Sequence, residues 1–308
     1  MNRREFLCTT AAPLVARVAS QDASVQPSRT RLILLGTGGG PTPKKTVSAS
    51  AQVIIVNNTA YVVDCGDGVA RQLVLANIPL PSLRHVFITH HHSDHNADYG
   101  NLLLLSWASG LLTAVDTWGP PPLAKMTELF LGMNAYDIDT RMRDEGWPPL
   151  APLVHPHEVT QGGVVMRDGN VTVTAALVDH PLVAPAFAYR FDGPDRSIVI
   201  SGDTTRSDNL IRLARGADIL VHEAMWLPAV DRIAARNPRA PTLKKHLLES
   251  HTTVEDCGRV AAAAGVKTLV LSHLVPGGDA TITDAMWMNA ARQHFQGRII
   301  VGKDLLEI

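Results

Sequence analysis

The chain has 308 residues, 45% apolar and 19% charged, with a formal net charge of −1. That balance suits a globular protein with ample core and excludes an overall basic field that would recruit nucleic acid. No apolar run approaches the roughly 20 residues that span a bilayer, and the three cysteines, Cys8, Cys65 and Cys257, lack CxxC spacing, which argues against thiolate zinc and a disulfide framework.

The opening "MNRREFLCTTAAPLVARVAS" pairs Arg3 with Arg4 ahead of a weakly apolar run and a small-residue stretch. It resembles a twin-arginine export signal, so residues 1–27 are set apart from the fold and a periplasmic location is expected. "RLILLGTGGGPTPKK" then reads as a buried strand broken by glycines, and "QVIIVNNTAYVVDCGDG" as a hairpin turning at Asn57-Asn58. "GVARQLVLANI" reads as a helix and "HVFI" as a short strand. "NLLLLSWASGLL" and "GPPPLAKMTELFLGMNAY" follow as helices, the first buried. Residues 137–162, charged and without a clean period, read as loop. Strands return in "VTVTAALVDH", "AFAYRF", "SIVISGD" and "DILVHEA", and two helix–strand units close the chain. No linker divides two cores, so the expectation is one α/β domain of sheets covered by helices.

The chemistry gathers at strand ends. "THHHSDH", residues 89–95, packs His90, His92, Asp94 and His95 behind one apolar run, and later runs end in His180, Asp203 and His273. A lone histidine at a strand end is ordinary; four such ends, one carrying four donors, are not. Side chains two apart on an extended segment share a side, so His90 and His92 can hold one ion together. Asp94 and His95 lie past the bend and can face a second. His91 points away and reads as structural. Imidazole and carboxylate donors suit Zn2+, with Mn2+ or Fe2+ as alternatives. Asp203 can bridge two ions, which together would lower the pKa of a water between them.

The H-x-H-x-D-H run at 90–95, followed in order by His180, Asp203 and His273, resembles the metallo-β-lactamase fold hydrolases. "LGTGGGPTP" at 35–43, "HEAM" at 222–225, the stretch from Ser250 to His273 and the ending "IIVGKDLLEI" resemble the ribonuclease Z and arylsulfatase branch. The resemblance covers nearly all of residues 31–308 and implies an αββα sandwich in a single domain. It implies that His90, His92 and His180 bind one ion, Asp94, His95 and His273 a second, and that Asp203 bridges them. It further implies that Glu223 and His251 form a proton-donating pair, with Asp94 also counted among the catalytic groups. A carboxylate beside an imidazole raises its pKa and fixes its tautomer, which suits that role. The competing reading makes His251 only the residue before a helix cap at Thr252 or Thr253. Asp64 and His222 are candidates to support the ligands from behind.

The glycine run at 36–40 lacks both phosphate-loop patterns and reads as a tight turn bordering the cleft. Trp107 and Trp118 are the apolar groups that could lie near a substrate. These readings converge on a hydrolase with two Zn2+ ions acting on a small anionic ester, an aryl sulfate or a phosphodiester. Ribonuclease Z-like tRNA 3′-end processing ranks below it, because an exported protein would not meet tRNA and residues 137–162 mix Arg141 and Arg143 with five acidic residues. A lactonase, or a metal-binding protein without turnover, leaves Glu223 and His251 or the full ligand set unexplained. The expected partner is thus a small molecule, with nucleic acid disfavoured and a homodimer compatible with the reading.

Overall fold

The computed structural model describes residues 30–308; the leader assigned to residues 1–27 lies outside them. The chain runs β1 (Arg31–Gly36), β2 (Ala51–Val56), β3 (Thr59–Val63), α1 (Val69–Leu75), β4 (Leu83–Phe87), α2 (Ser93–Asn96), α3 (Tyr99–Ala108) and β5 (Val115–Gly119). It continues through α4 (Leu123–Met133), α5 (Ala135–Asp144), β6 (Val154–Glu158), β7 (Gly163–Arg167), β8 (Thr172–Leu177), β9 (Phe187–Asp192) and β10 (Ser197–Ile200). The last part is α6 (Asp208–Leu213), β11 (Ile219–Met225), α7 (Val230–Ala235), α8 (Leu243–Ser250), α9 (Val254–Ala264), β12 (Thr268–Val275), α10 (Asp284–Arg292) and β13 (Arg298–Val301).

Strands β1 to β6 form one sheet in chain order, and the other runs β13-β12-β11-β10-β9-β8-β7. Strand periodicity explains how they stack. In β1, Leu32 and Leu34 enter the core between the sheets, while Ile33 and Leu35 face the helices outside the first sheet. In β11, Ile219 and Val221 face the other sheet, and Leu220 and Ala224 pack under the helices of the second. Both faces of each sheet are therefore covered, which is why these strands read as unbroken apolar runs. The result is an αββα sandwich, as the sequence led us to expect. The β2–β3 hairpin turns at Asn57 and Asn58, both left-handed (φ 49° and 62°), the backbone that a two-residue hairpin favours. Cys65 and Cys257 are free and buried in different core layers.

Residues 137–162 depart from the loop reading. They complete α5 and form edge strand β6. α5 is held by charge rather than by an apolar stripe: Arg141 pairs with Asp137 one turn before and Glu145 one turn after. β6 accepts Pro156 because it stands at the sheet edge. Residues 227–250, passed over in the sequence, form α7 and α8, a helical cap folded over the cleft. No helix among the described residues is long and apolar enough to cross a membrane.

Candidate metal centre and active site

The donors converge where strands of both sheets end. His90 and His92 follow β4, Asp94 and His95 lie in α2, Asp203 follows β10, and His273 sits in β12. One group comprises His90, His92, His180 and Asp203; a second comprises Asp94, His95 and His273; a third, overlapping both, sets His251 beside Asp203 and His273; the donor atoms of each lie within 4.8 Å of one another. His92 Nδ1 faces His90 Nε2 at 3.2 Å and His180 Nε2 at 3.1 Å. Asp203 reaches both groups, its oxygens 3.8 Å from His90 Nε2, 3.2 Å from His95 Nε2 and 3.3 Å from His273 Nε2. Among the described residues, buried His95 Nε2 and Asp203 Oδ1 lack hydrogen-bond partners despite their proximity. Ring nitrogens turned on one another around a buried carboxylate are poorly satisfied by protons alone, and they fit a divalent metal such as zinc.

Two of the rings, His95 and His90, are anchored on their far side. Asp64, itself left-handed (φ 61°), accepts from His95 Nδ1 at 2.7 Å and from the backbone and hydroxyl of Thr89. Thr89 Oγ1 also meets His90 Nδ1 at 3.0 Å. Fixing Nδ1 in this way turns Nε2 toward the cluster. His273 has φ 42°, an unusual strain for a non-glycine residue. A Cβ on Gly39 would lie 2.7 Å from the His273 ring, and Gly40 N donates to Asp94 Oδ2 at 2.7 Å. The glycine run is thus the close-packed border of the cleft.

Charges within the cluster shift one another. Burial pushes His90 well below its usual pKa and takes His180 down to about 3. Burial also opposes the charge on His95, but Asp203 and Asp64 outweigh it and raise its pKa. Asp203 stays well below the carboxylate range despite burial, because His273, His95 and His90 surround it.

Beside this cluster stands a second arrangement. Inner-face positions of β11 run Ile219, Val221, Glu223, so the Glu223 carboxylate lines the small space between the sheets that His95, Asp203 and His273 also border. It accepts from the backbone N–H groups of Thr204 and Thr252 and faces His251 Nδ1 at 3.2 Å. Burial would lower the His251 pKa, yet the Glu223 charge and hydrogen bond outweigh it and raise it to about 9. Thr253 caps α9 by accepting from Asp256 N, so His251 is not needed for the cap. His251 Nδ1 also lies 3.9 Å from Asp203 Oδ2.

Comparison with known proteins decides the family. The sequence profile described as "Beta-lactamase superfamily domain" matches residues 59–274. Ribonuclease Z of Mycobacterium bovis (strain BCG / Pasteur 1173P2) is 34% identical over 277 residues, covering 89% of this chain and 96% of the relative. The chain belongs to the metallo-β-lactamase fold hydrolases, in their ribonuclease Z-like branch. Human tRNase Z, short form, shares the fold at a TM-score of 0.66 and 21% identity, over 90% of this chain and 98% of that one. The metallo-β-lactamase fold protein YhfI from Bacillus subtilis does so at 0.65 and 19%, over 91% and 98%. As a member of this branch, the protein is a metal-dependent hydrolase acting on ester bonds.

Within this metallo-β-lactamase fold several residues fall elsewhere than the sequence suggested. His222 lies on the helix-facing side of β11, where Nδ1 meets Glu223 O and the Cys257 sulfur, so alternation along the strand turns it away from the donors. Trp107 is sealed in the outer core with Nε1 on Pro148 O, and Trp118 stacks on Phe87 and His157; neither borders the cleft. His91, by contrast, lies as its structural reading expects, tied to Pro120 O and Asn96 outside the donor groups. The cleft wall comes instead from the cap, through Ile233, Asn237, Leu243, His246 and Leu247. The one sequence signal for it was the apolar spacing Leu243–Leu247, one helical turn, in a stretch otherwise rich in charge.

Proposed function

We propose that the protein is a two-zinc phosphodiesterase that cleaves RNA in the manner its relatives' name implies, at the 3′ side of a tRNA precursor. His90, His92 and His180 would hold one ion and Asp94, His95 and His273 the other, with Asp203 common to both. When bound, such a pair supplies Lewis acidity and lowers the pKa of a water between the ions. This chain's own groups supply the rest. Asp64 and Thr89 orient the His95 and His90 imidazoles, and His251 gives a proton from Nε2 to the departing oxygen. Glu223, bound at Nδ1, fixes that tautomer and keeps the ring charged.

The observation that carries the reading is the placement of His251: tied to buried Glu223 at 3.2 Å, it stands 3.9 Å from the carboxylate shared by both donor groups. A proton donor there suits an ester whose leaving oxygen is an alkoxide. The relatives, named ribonuclease Z, favour a phosphodiester over the aryl sulfate that the sequence left open beside it, and RNA over the small molecule expected there.

One observation favours a second reading within the same chemistry, a small phosphodiester. The cleft beneath the cap is a bounded cavity of about 480 Å³, whose lining has one lysine, Lys44, and no arginine among the described residues. Two measurements separate the readings. Zinc-loaded protein should cut a 3′-extended tRNA precursor once, next to its 3′ end; turnover of bis-4-nitrophenyl phosphate with the precursor left intact selects the small ester. Mass spectrometry of the native N-terminus bears on the same choice. An intact Met1 fits RNA, whereas removal of residues 1–27 would place the protein in the periplasm, where the small ester applies.

A further inference from the structure

The cap brings a histidine that neither the donor groups nor the Glu223–His251 pair includes. His246 lies in α8, half-buried, with its ring centroid 5.7 Å from His251, 5.8 Å from His92 and 6.0 Å from His180. The ligand rings are closer to each other: His90, His92 and His180 stand 4.8–4.9 Å apart. His246 is therefore about one ångström outside the shell that shares an ion, and it belongs to none of the donor groups. Its Nδ1 meets Ser250 Oγ, one turn on, at 3.2 Å. Ser250 Oγ makes no other hydrogen bond among the described residues; with its proton assigned to Nδ1, the ring's own proton sits on Nε2. Nε2 has no protein partner among the described residues and belongs to a ring that lines the cleft.

The surroundings of that N–H are divided. Toward the sheets lie the donors and His251. On the cap side lie Ile233, Leu243 and Leu247, with Val275 packed against them. A cavity of about 480 Å³ falls in the range of small-ligand sites, about 300–1,000 Å³. Apolar walls with a few placed polar groups are what such sites use to seat a flat organic group and orient a charged one.

We propose that His246 is a substrate-contacting residue: its Nε2–H donates to a non-bridging oxygen of the phosphodiester, while the apolar cap wall seats one flat group, of phenyl or nucleobase size, joined to that phosphorus. This rests on the phosphodiesterase reading and adds to it a specificity determinant carried by the cap. The contact holds in either protonation state of His246, since both present Nε2–H.

The test uses full-length, zinc-loaded protein with His246→Phe, which keeps a ring and loses the donor, and His246→Gln, which returns an N–H near the Nε2 position. The inert monoanion methyl phenylphosphonate probes binding by calorimetry. Methyl 4-nitrophenyl phosphate and thymidine 5′-(4-nitrophenyl phosphate), which differ only in the retained group, probe turnover. Expected for His246→Phe are unchanged zinc content and phosphonate affinity weaker by roughly tenfold, the scale of a hydrogen bond to a charged group. KM should rise more than kcat falls, and His246→Gln should recover most of the loss. The wild type should prefer the thymidine ester. Loss of zinc in His246→Phe would make it a ligand and overturn the proposal, as would an unchanged phosphonate affinity. If the wild type binds the phosphonate through His246 yet hydrolyses neither ester, the contact stands and the phosphodiesterase reading falls.

Discussion

The strand-end shelf and the helical cap face each other across one cleft and are built on different principles. Every donor on the shelf except half-buried His92 is buried, and all but Asp94 and His95, on short α2, sit on or just beyond a strand that is itself locked into a core layer. The cap is two helices of six and eight residues, seated on a small cluster of Met225, Val230, Leu247 and Val275. Ion binding and proton transfer need positions fixed to a fraction of an ångström, which a doubly covered sheet provides. Substrate selection tolerates a wall with few buried contacts, and elements that open locally come from such regions. On the proposed reading, chemistry belongs to the shelf and selection to the cap.

The largest effect should come from the shelf. Asp203→Ala removes the carboxylate common to both groups, so elemental analysis should find fewer than one ion per chain and turnover should fall to background. Activity surviving with normal metal content would put the chemistry elsewhere. His251→Ala comes next. It should cost about 10²–10⁴-fold on esters with alkoxide leaving groups and far less with 4-nitrophenolate, which departs without a proton. Metal content should hold if His251 is the proposed proton donor; a loss of metal would make it a ligand beside Asp203 and His273, and a uniform loss across leaving groups would reduce it to a structural residue.

The same pair sets the pH response. If His251 is the proton donor proposed, its protonated ring is the active form, and with the pKa raised from 6.5 to about 9, rates on poor leaving groups should fall as pH rises through about 9. Glu223→Gln removes the main raising partner and should move that limb down toward 6.5. The linkage has the same sign for folding: stability from the charged ring is complete below about 6.5 and lost as pH passes about 9. An alkaline limb that ignores Glu223→Gln would break the assignment.

Smaller effects probe the supports. Asp64→Ala frees His95 Nδ1 and should weaken zinc affinity by about 10–100-fold, measured against a competing chelator. Leu247→Ala, in the cap, should leave zinc affinity and kcat close to wild type while raising KM and speeding amide hydrogen exchange in α7 and α8. If instead it lowered zinc affinity as Asp64→Ala does, cap and shelf would be one unit.

The shelf was legible in sequence for the reason it is rigid. Donors placed after unbroken apolar strands leave a linear signature, and β-strand alternation carries Glu223 to the donors in the same register as Ile219 and Val221. That alternation also explains the misplacement of His222, adjacent in sequence but on the opposite face. The cap left almost no signature. α7 and α8 are too short for a clear helical period, and His246, set among Lys244, Lys245 and Glu249, looks like part of a solvated face until the chain is folded. α5 was hidden similarly, since paired charges rather than an apolar stripe hold it. Trp107 and Trp118 misled because large apolar side chains mark core more often than pockets, and both are core here.

The account stands on two ions serving one hydrolytic centre. The most direct measurement is phosphodiesterase activity as zinc is added back, stepwise, to metal-stripped protein, with bound zinc counted in the same samples. Activity should rise to a break at about two ions per chain. A break at one ion, or activity that survives stripping, would contradict it.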